Sequence, residues 1–242
     1  MKNLSGIYFG SIKKIKPNES IFGLKSYLER LFKKANLKGK TILDIGAGSG
    51  IYSCYMAMNG AKNVFSLEPE IEGSENNYIK KFQKLKDNLK LSNVFLEQKT
   101  FQLFDSKERK FDIVLLHYSV NHLNEEACIN LNKNGEAKEI YAEIFQKLYS
   151  ISNEKAQVII ADCSNNNIFK LLKIKNPFAP TIEWNKHQSP EEWVKILKEA
   201  GFRKFNINWV APKQFGLLGN FFLGNKFFSF LIDSHFIIYV EK

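Results

Sequence analysis

The stretch 41–53, TILDIGAGSGIYS, sets a short apolar run against three glycines spaced two apart, Gly46, Gly48 and Gly50. Glycine surrenders more backbone entropy on folding than any other residue, so a regular element alone does not account for that spacing. TILDI reads as a buried strand, and SGIYSCYMAMNG as a helix with Gly60 just past its end. A strand that runs through glycines into a helix leaves backbone N–H groups and a helix N-terminus at one edge of a sheet, open to close approach by a ligand.

Outward from this point, strand and helix alternate. NVFSLEP is a second strand, residues 71–90 a polar helix, SNVFLEQ a third strand, and FDIVLLHYS a fourth with five apolar residues in a row. Helical stretches over about 123–151 lead to a fifth strand, KAQVIIADCS. Such alternation is the pattern of βαβ units in a doubly wound α/β sheet covered on both faces. Upstream, residues 20–37 space Phe22, Leu24, Tyr27, Leu28, Leu31 and Phe32 as an amphipathic helix. Downstream, SPEEWVKILKEAGF opens on a capping box, with Ser189, Pro190 in the first turn and Glu192 three residues on. NINWVAP and HFIIYVEK read as two closing strands.

The chain has 242 residues, room for one substantial core with an appended cap. Its net charge of +10, from 35 basic and 25 acidic side chains, suits anionic partners, but the lysines are scattered as on solvated helix faces. Cys54, Cys128 and Cys163 lie far apart with no CxxC pair, which points to buried thiols in a reducing compartment. The N-terminal stretch has no signal-type apolar core, and no span approaches a transmembrane helix, so a cytoplasmic protein is expected.

The carboxylate of Asp44, two residues before Gly46, separates this motif from a pyrophosphate-binding GxGxxG turn: it repels a phosphate and attracts an ammonium group. Asp44, Gly46, Gly48 and Gly50 resemble the first motif, E/DxGxGxG, of the class I S-adenosylmethionine-dependent methyltransferases. The resemblance implies a Rossmann-like, doubly wound, seven-stranded sheet, mostly parallel with an antiparallel last strand and helices on both faces. It also implies S-adenosylmethionine as cofactor, with S-adenosylhomocysteine as product, and a donor site built from Asp44, Gly46, Ala47, Gly48 and Gly50. Glu68 and Pro69, at the end of the second strand, correspond to the family's ribose-binding acid and its neighbour. Thr100 stands where the family carries an acid facing the adenine amino group, a departure that leaves the backbone and ring of Phe101 to serve the adenine. FDIVLLHYSVNHL is similar to the family's fourth-strand motif and puts His117 toward the transferable methyl. The implied organisation is an N-terminal helical cap over 1–40 and a methyltransferase domain over 41–242, with substrate-side insertions at about 170–190 and 212–233.

Methyl transfer to a hydroxyl needs a base, and histidine is matched to that task near neutral pH. His117, His122 and His187 are the catalytic candidates, although His122 also reads as a helix-start residue and His235 as structural. Asn121, with Glu183, Trp184 and Lys186 on the proline-rich stretch NPFAPTIEWNKHQSP, are candidates for the acceptor wall; the same stretch also reads as a surface loop anchored by Trp184. The histidines lack HxxxH pairing and cysteine neighbours, so no metal centre is expected. The apolar stretch 215–231 reads as a helical hairpin on the core, as a lid over the acceptor, or as a surface that sits on lipid. The expected activity is methylation of a small polar acceptor, favoured at oxygen, such as a sugar or nucleotide-linked metabolite; the basic net charge suits an anionic one. RNA methylation and a non-catalytic donor-binding regulator are the alternatives. No base-stacking motif is evident, which ranks nucleic acid lower.

Overall fold

The computed structural model describes residues 2–70 and 77–242. Seven strands form one sheet: β1 (Thr41–Ile45), β2 (Asn63–Leu67), β3 (Val94–Glu97), β4 (Phe111–His117), β5 (Ser152–Cys163), β6 (Arg203–Trp209) and β7 (His235–Glu241), in the order β3-β2-β1-β4-β5-β7-β6. β1 to β5 pair in parallel, and β7 runs antiparallel between β5 and β6. From β1 the chain steps outward to β2 and β3, then returns to lay β4 on the other side of β1. That reversal leaves a crevice beyond the carboxyl ends of β1 and β4, where open α/β sheets bind ligands.

Ten helices accompany the sheet among the described residues: α1 (Lys2–Ile15), α2 (Ile21–Leu31), α3 (Ile51–Met58), α4 (Tyr78–Asn88), α5 (Glu125–Asn130), α6 (Gly135–Ile151), α7 (Ile168–Leu171), α8 (Pro190–Glu199), α9 (Gly216–Leu223) and α10 (Lys226–Leu231). Successive strand residues face opposite sides of a sheet, and both sides are apolar here. Ile42, Val64, Val94, Ile113 and Ile159 pack against Ile12, Leu28, Met56 and Phe82 of α1 to α4. Their neighbours Leu43, Leu67, Val114, Val158 and Ile160 pack against Cys128, Tyr141, Phe145, Trp193 and Leu197 of α5, α6 and α8.

Most boundaries follow the sequence pattern, with informative exceptions. α1 falls in the stretch expected as a helical cap; Gly6 and Gly10 interrupt its propensity, and it folds by burying Tyr8, Ile12 and Ile15 at helical spacing. α2 stops at Leu31, six residues short of expectation, as Phe32 takes the C-cap and the chain turns. β5 starts at Ser152, directly off α6, with an irregular register against β4 between Phe111 and Ile113. The polar helix expected over 71–90 is α4 from Tyr78; positions 71–76 lie outside the described residues. Ser189 caps α8 as its sequence proposes, its Oγ accepting from Glu192 N at 3.3 Å.

Candidate active site

The glycine loop is fixed from three sides. Gly46 N and Ala47 N both donate to Leu67 O at 2.9 Å, tying the end of β1 to the end of β2. Ser119, just past β4, donates from Oγ to Ile45 O at 2.5 Å. Gly46 has φ +76°, and a Cβ there would sit 2.5 Å from Ser119 Cβ, so nothing larger fits between the two strand ends. Gly50, at the N-terminus of α3, also has φ +76°, and a Cβ there would meet the Phe82 ring at 2.6 Å. Gly48 is different: its φ is +52°, and a Cβ would find nothing within 4 Å. It faces open space.

That space is a cavity of about 550 Å³ over the switch point. Gly46, Ala47, Gly48, Glu68, Pro69, Thr100, Phe101, His117 and His122 all line it. Glu68 Oε2 accepts from Gly48 N at 2.6 Å, and burial raises its carboxyl above the usual range. Thr100 Oγ1 accepts from Leu103 N at 3.3 Å, which shapes the turn after β3. The Phe101 ring is buried in the core beneath that turn. Lys147 of α6 fastens the turn, its Nζ donating to the carbonyls of Phe101, Gln102 and Phe104 at 2.9, 2.9 and 2.8 Å. His122 sits on an exposed 3-10 turn and pairs through Nδ1 with Glu125 Oε1 at 2.6 Å.

Asp44 and Gly50 lie beneath this cavity rather than on its wall. The Asp44 carboxylate is buried; Oδ2 accepts from Ser53 Oγ on α3, which in turn accepts from Ser66 Oγ on β2 at 2.9 Å. Asp44 thus pins α3 under the loop. Burial raises its carboxyl to about 7, and Oδ1 has no hydrogen-bond partner among the described residues.

A second chamber of about 390 Å³ adjoins the first, and the two share Tyr52, His117, Tyr118 and Lys213. The partition is aromatic: the Tyr52 and His117 rings lie 3.9 Å apart between centroids, and the rings of His117 and Tyr118 meet edge-on at 4.6 Å. Behind it runs a buried hydrogen-bonded row. Tyr27 Oη lies 3.0 Å from His117 Nε2 and 3.3 Å from His235 Nε2, and Tyr118 Oη lies 3.0 Å from His235 Nδ1. Burial lowers both imidazoles, His235 to about 3 and His117 well below its ordinary range, so both are neutral. With a single proton, Tyr27 donates to one imidazole and accepts from the other.

His187 lines the far side of the second chamber. Its Nδ1 lies 3.0 Å from Oδ1 of Asp162, a fully buried residue near the end of β5. Asp233 also lines this chamber, its carboxyl raised by burial to about 6. Asn121, Glu183, Trp184 and Lys186 line neither cavity. Asn121 opens the 3-10 turn after β4 and is its buried residue. Lys186 holds the proline-rich stretch onto α5: its Nζ pairs with Glu125 at 3.1 Å and with Glu183 of its own stretch at 2.9 Å, and its carbonyl O accepts from Cys128 Sγ. The chamber is walled by their neighbours Phe178, Ala179, Thr181 and Ile182. Sequence reasoning missed Tyr27, Tyr52, Tyr118 and Lys213 at the partition. Tyr27 and Tyr52 carry ordinary helical spacing, and only Tyr118, beside the strand-end His117, had a positional signal.

Comparison with known proteins gives the family and the fold. A family model described as a methyltransferase domain matches residues 22–206, and the chain belongs to that family, as a class I S-adenosylmethionine-dependent methyltransferase. Protein arginine N-methyltransferase 6 of Danio rerio is 26% identical over 129 residues, which cover 51% of this chain and 35% of that protein. The chain matches between 13% and 38% of the length of such curated relatives. Among solved structures, a SAM-dependent methyltransferase from Aquifex aeolicus superposes with a TM-score of 0.61 at 18% identity, covering 95% of this chain and 97% of that one. Magnesium protoporphyrin IX methyltransferase from Synechocystis, crystallised with bound S-adenosylhomocysteine, gives 0.57 at 16% identity, with coverage of 97% and 93%. At those identities the structural likeness is one of fold.

Proposed function

We propose that the chain transfers a methyl group where the two cavities adjoin beside Tyr52, His117 and Tyr118, from a donor held in the larger cavity directly to a small polar acceptor that reaches it from the smaller one. The observation that carries this reading is the pairing of two chambers through one aromatic wall, with a carboxylate-oriented imidazole on the acceptor side. The residues fit the donor. The open face at Gly48 lets main chain approach it, Glu68 is positioned for the ribose hydroxyls, and the Thr100–Phe101 turn borders the space for the adenine. Asp44 acts through the glycine loop, and its unpartnered Oδ1 is available to a hydrogen-bond relay from the donor's amino group. When bound, the donor supplies an electrophilic methyl group and needs no activation by the protein.

The chain's own residues therefore position the acceptor, exclude water and take a proton. Asp162 accepting from His187 Nδ1 leaves Nε2 with its lone pair in the chamber, the arrangement of an oriented general base. Neutral His117, held by Tyr27, packs the wall without adding positive charge beside a sulfonium. A hydroxyl acceptor suits His187. An amine acceptor is the second reading, favoured by buried Asp233, whose carboxylate would hold an ammonium group.

The test uses donor carrying a labelled methyl group, incubated with the protein and cell extract that is then fractionated. Label in low-molecular-mass material, with loss of about a hundredfold or more in His187→Ala and unchanged donor affinity, supports the reading. Label in RNA or protein overturns it, as does full turnover in the variant.

A further inference from the structure

Beside the mouth of the acceptor chamber the surface changes character. α9 and α10 leave Leu218, Phe221, Phe222 and Phe227 exposed at 78, 81, 65 and 64%. α7 and the residues after it leave Leu171, Leu172 and Ile174 exposed at 72, 58 and 53%. These segments meet: α7 packs on α10, and Asn176 Nδ2 donates to Ile232 O at 2.6 Å. α9 packs on α2, where the Phe22 ring lies against Gly216 and is itself 71% exposed. Phe178, Pro212 and Lys213, from the same segments, line the acceptor chamber. Isolated exposed apolar residues are ordinary, but a contiguous group of large ones marks a contact surface.

Charge says what kind. Neither 168–182 nor 211–232 contains a carboxylate, while Lys170, Lys173, Lys175, Lys213 and Lys226 alternate with the apolar residues. Lys213 pairs with Glu19 and Lys226 with Glu191, both from neighbouring elements. The exposed run Lys170-Leu171-Leu172-Lys173-Ile174-Lys175 has no ion pair among the described residues. Phenylalanine and leucine flanked by lysine are the chemistry of an interfacial contact, apolar groups entering the acyl boundary while ammonium groups meet anionic headgroups. No helix among the described residues is long and apolar enough to cross a membrane, so the contact is with a surface.

We infer that the face formed by α7, α9 and α10 docks onto an anionic lipid bilayer. The acceptor chamber then opens at the lipid boundary. The docking is a binding property in its own right and holds whatever acceptor the enzyme uses.

The test is co-sedimentation of the full chain with phosphatidylcholine vesicles, with and without about one-third phosphatidylglycerol. Binding to the anionic vesicles, weakened by salt and absent from the neutral ones, is expected. Phe221→Ser/Phe222→Ser/Phe227→Ser and Lys170→Glu/Lys173→Glu/Lys175→Glu should each reduce the bound fraction by about tenfold. Circular dichroism and donor affinity, both unchanged, would report intact folding. No binding of folded wild-type protein to the anionic vesicles overturns the proposal, and so does wild-type binding by either variant. A concentration-dependent dimer that the phenylalanine variant abolishes, without vesicle binding, assigns the face to a second copy of the chain instead.

Discussion

Gly46 and Gly48 stand two residues apart with similar backbone and opposite surroundings, so one substitution separates folding from binding. Gly46→Ala drives a methyl group into Ser119 across the β1–β4 junction, and a loss of roughly 1–3 kcal/mol is expected in denaturant melts. Gly48→Ala carries the positive-φ strain alone, costs about 1 kcal/mol, and places its methyl group in the donor cavity. Calorimetry should find its donor affinity reduced at least about tenfold, a loss of about 1.4 kcal/mol. Asp44 makes a pH prediction. Its carboxyl rises from an ordinary 3.8 to about 7 on burial, so it protonates more readily folded than unfolded. The stability it contributes is complete below its unfolded value and is lost as pH climbs through 7. Wild type should therefore weaken relative to Asp44→Asn between those limits, by a difference on the order of 4 kcal/mol, measured by melts of the donor-free protein. His235, lowered to about 3, acts in the opposite sense: its contribution is full above 6.5 and disappears as pH falls.

At the scale of elements, the turn after β3 depends on a side chain from α6. Lys147 gathers the carbonyls of Phe101, Gln102 and Phe104, of which Phe101 O also accepts from Phe104 N, and Lys147→Met removes all three charge-assisted bonds at once. A stability loss of roughly 1.5–3 kcal/mol is expected, with weaker donor binding measured by calorimetry while the His187 environment, followed by NMR, stays unchanged. This dependence also explains what the sequence could and could not convey. Local signals found β1, α3, β4 and the capped α8, because their apolar runs, glycines and caps sit within a few residues of each other. Gly46 was legible for the same reason, whereas Glu68 was reached only through the family resemblance. The row behind the partition was not legible: His117 carried a strand-end signal, but its partners Tyr27 and His235 come from α2 and β7, and only the completed sheet brings the three within hydrogen-bonding distance. Glu183, Trp184 and Lys186 occupy the expected stretch, but that stretch turns its Thr181, Ile182 and His187 to the chamber and fastens Lys186 to α5. Which side of an irregular segment faces inward is set by such tertiary contacts, and no periodicity announces it.

For the molecule as a whole, donor binding is coupled to stability, since the cavity joins β1, β2, β4 and the turn after β3. A ligand bound to the folded state at a hundred times its dissociation constant adds about 2.7 kcal/mol. For a chain of this size the melting temperature should rise by roughly 5–10 °C with S-adenosylhomocysteine, a shift that about tenfold weaker binding in Gly48→Ala should cut to about half in the same scan. The order of the sheet has a further outcome. β6 pairs with β7 alone, and β7 lies between β5 and β6. During synthesis, β6 thus leaves the ribosome before the one partner able to receive its hydrogen bonds, and His235 reaches the partition only with that same partner. Closure of this side of the sheet is held back until β7 has been made, so a product stalled or clipped before β7 lacks both the sheet's edge and the histidine of the buried row.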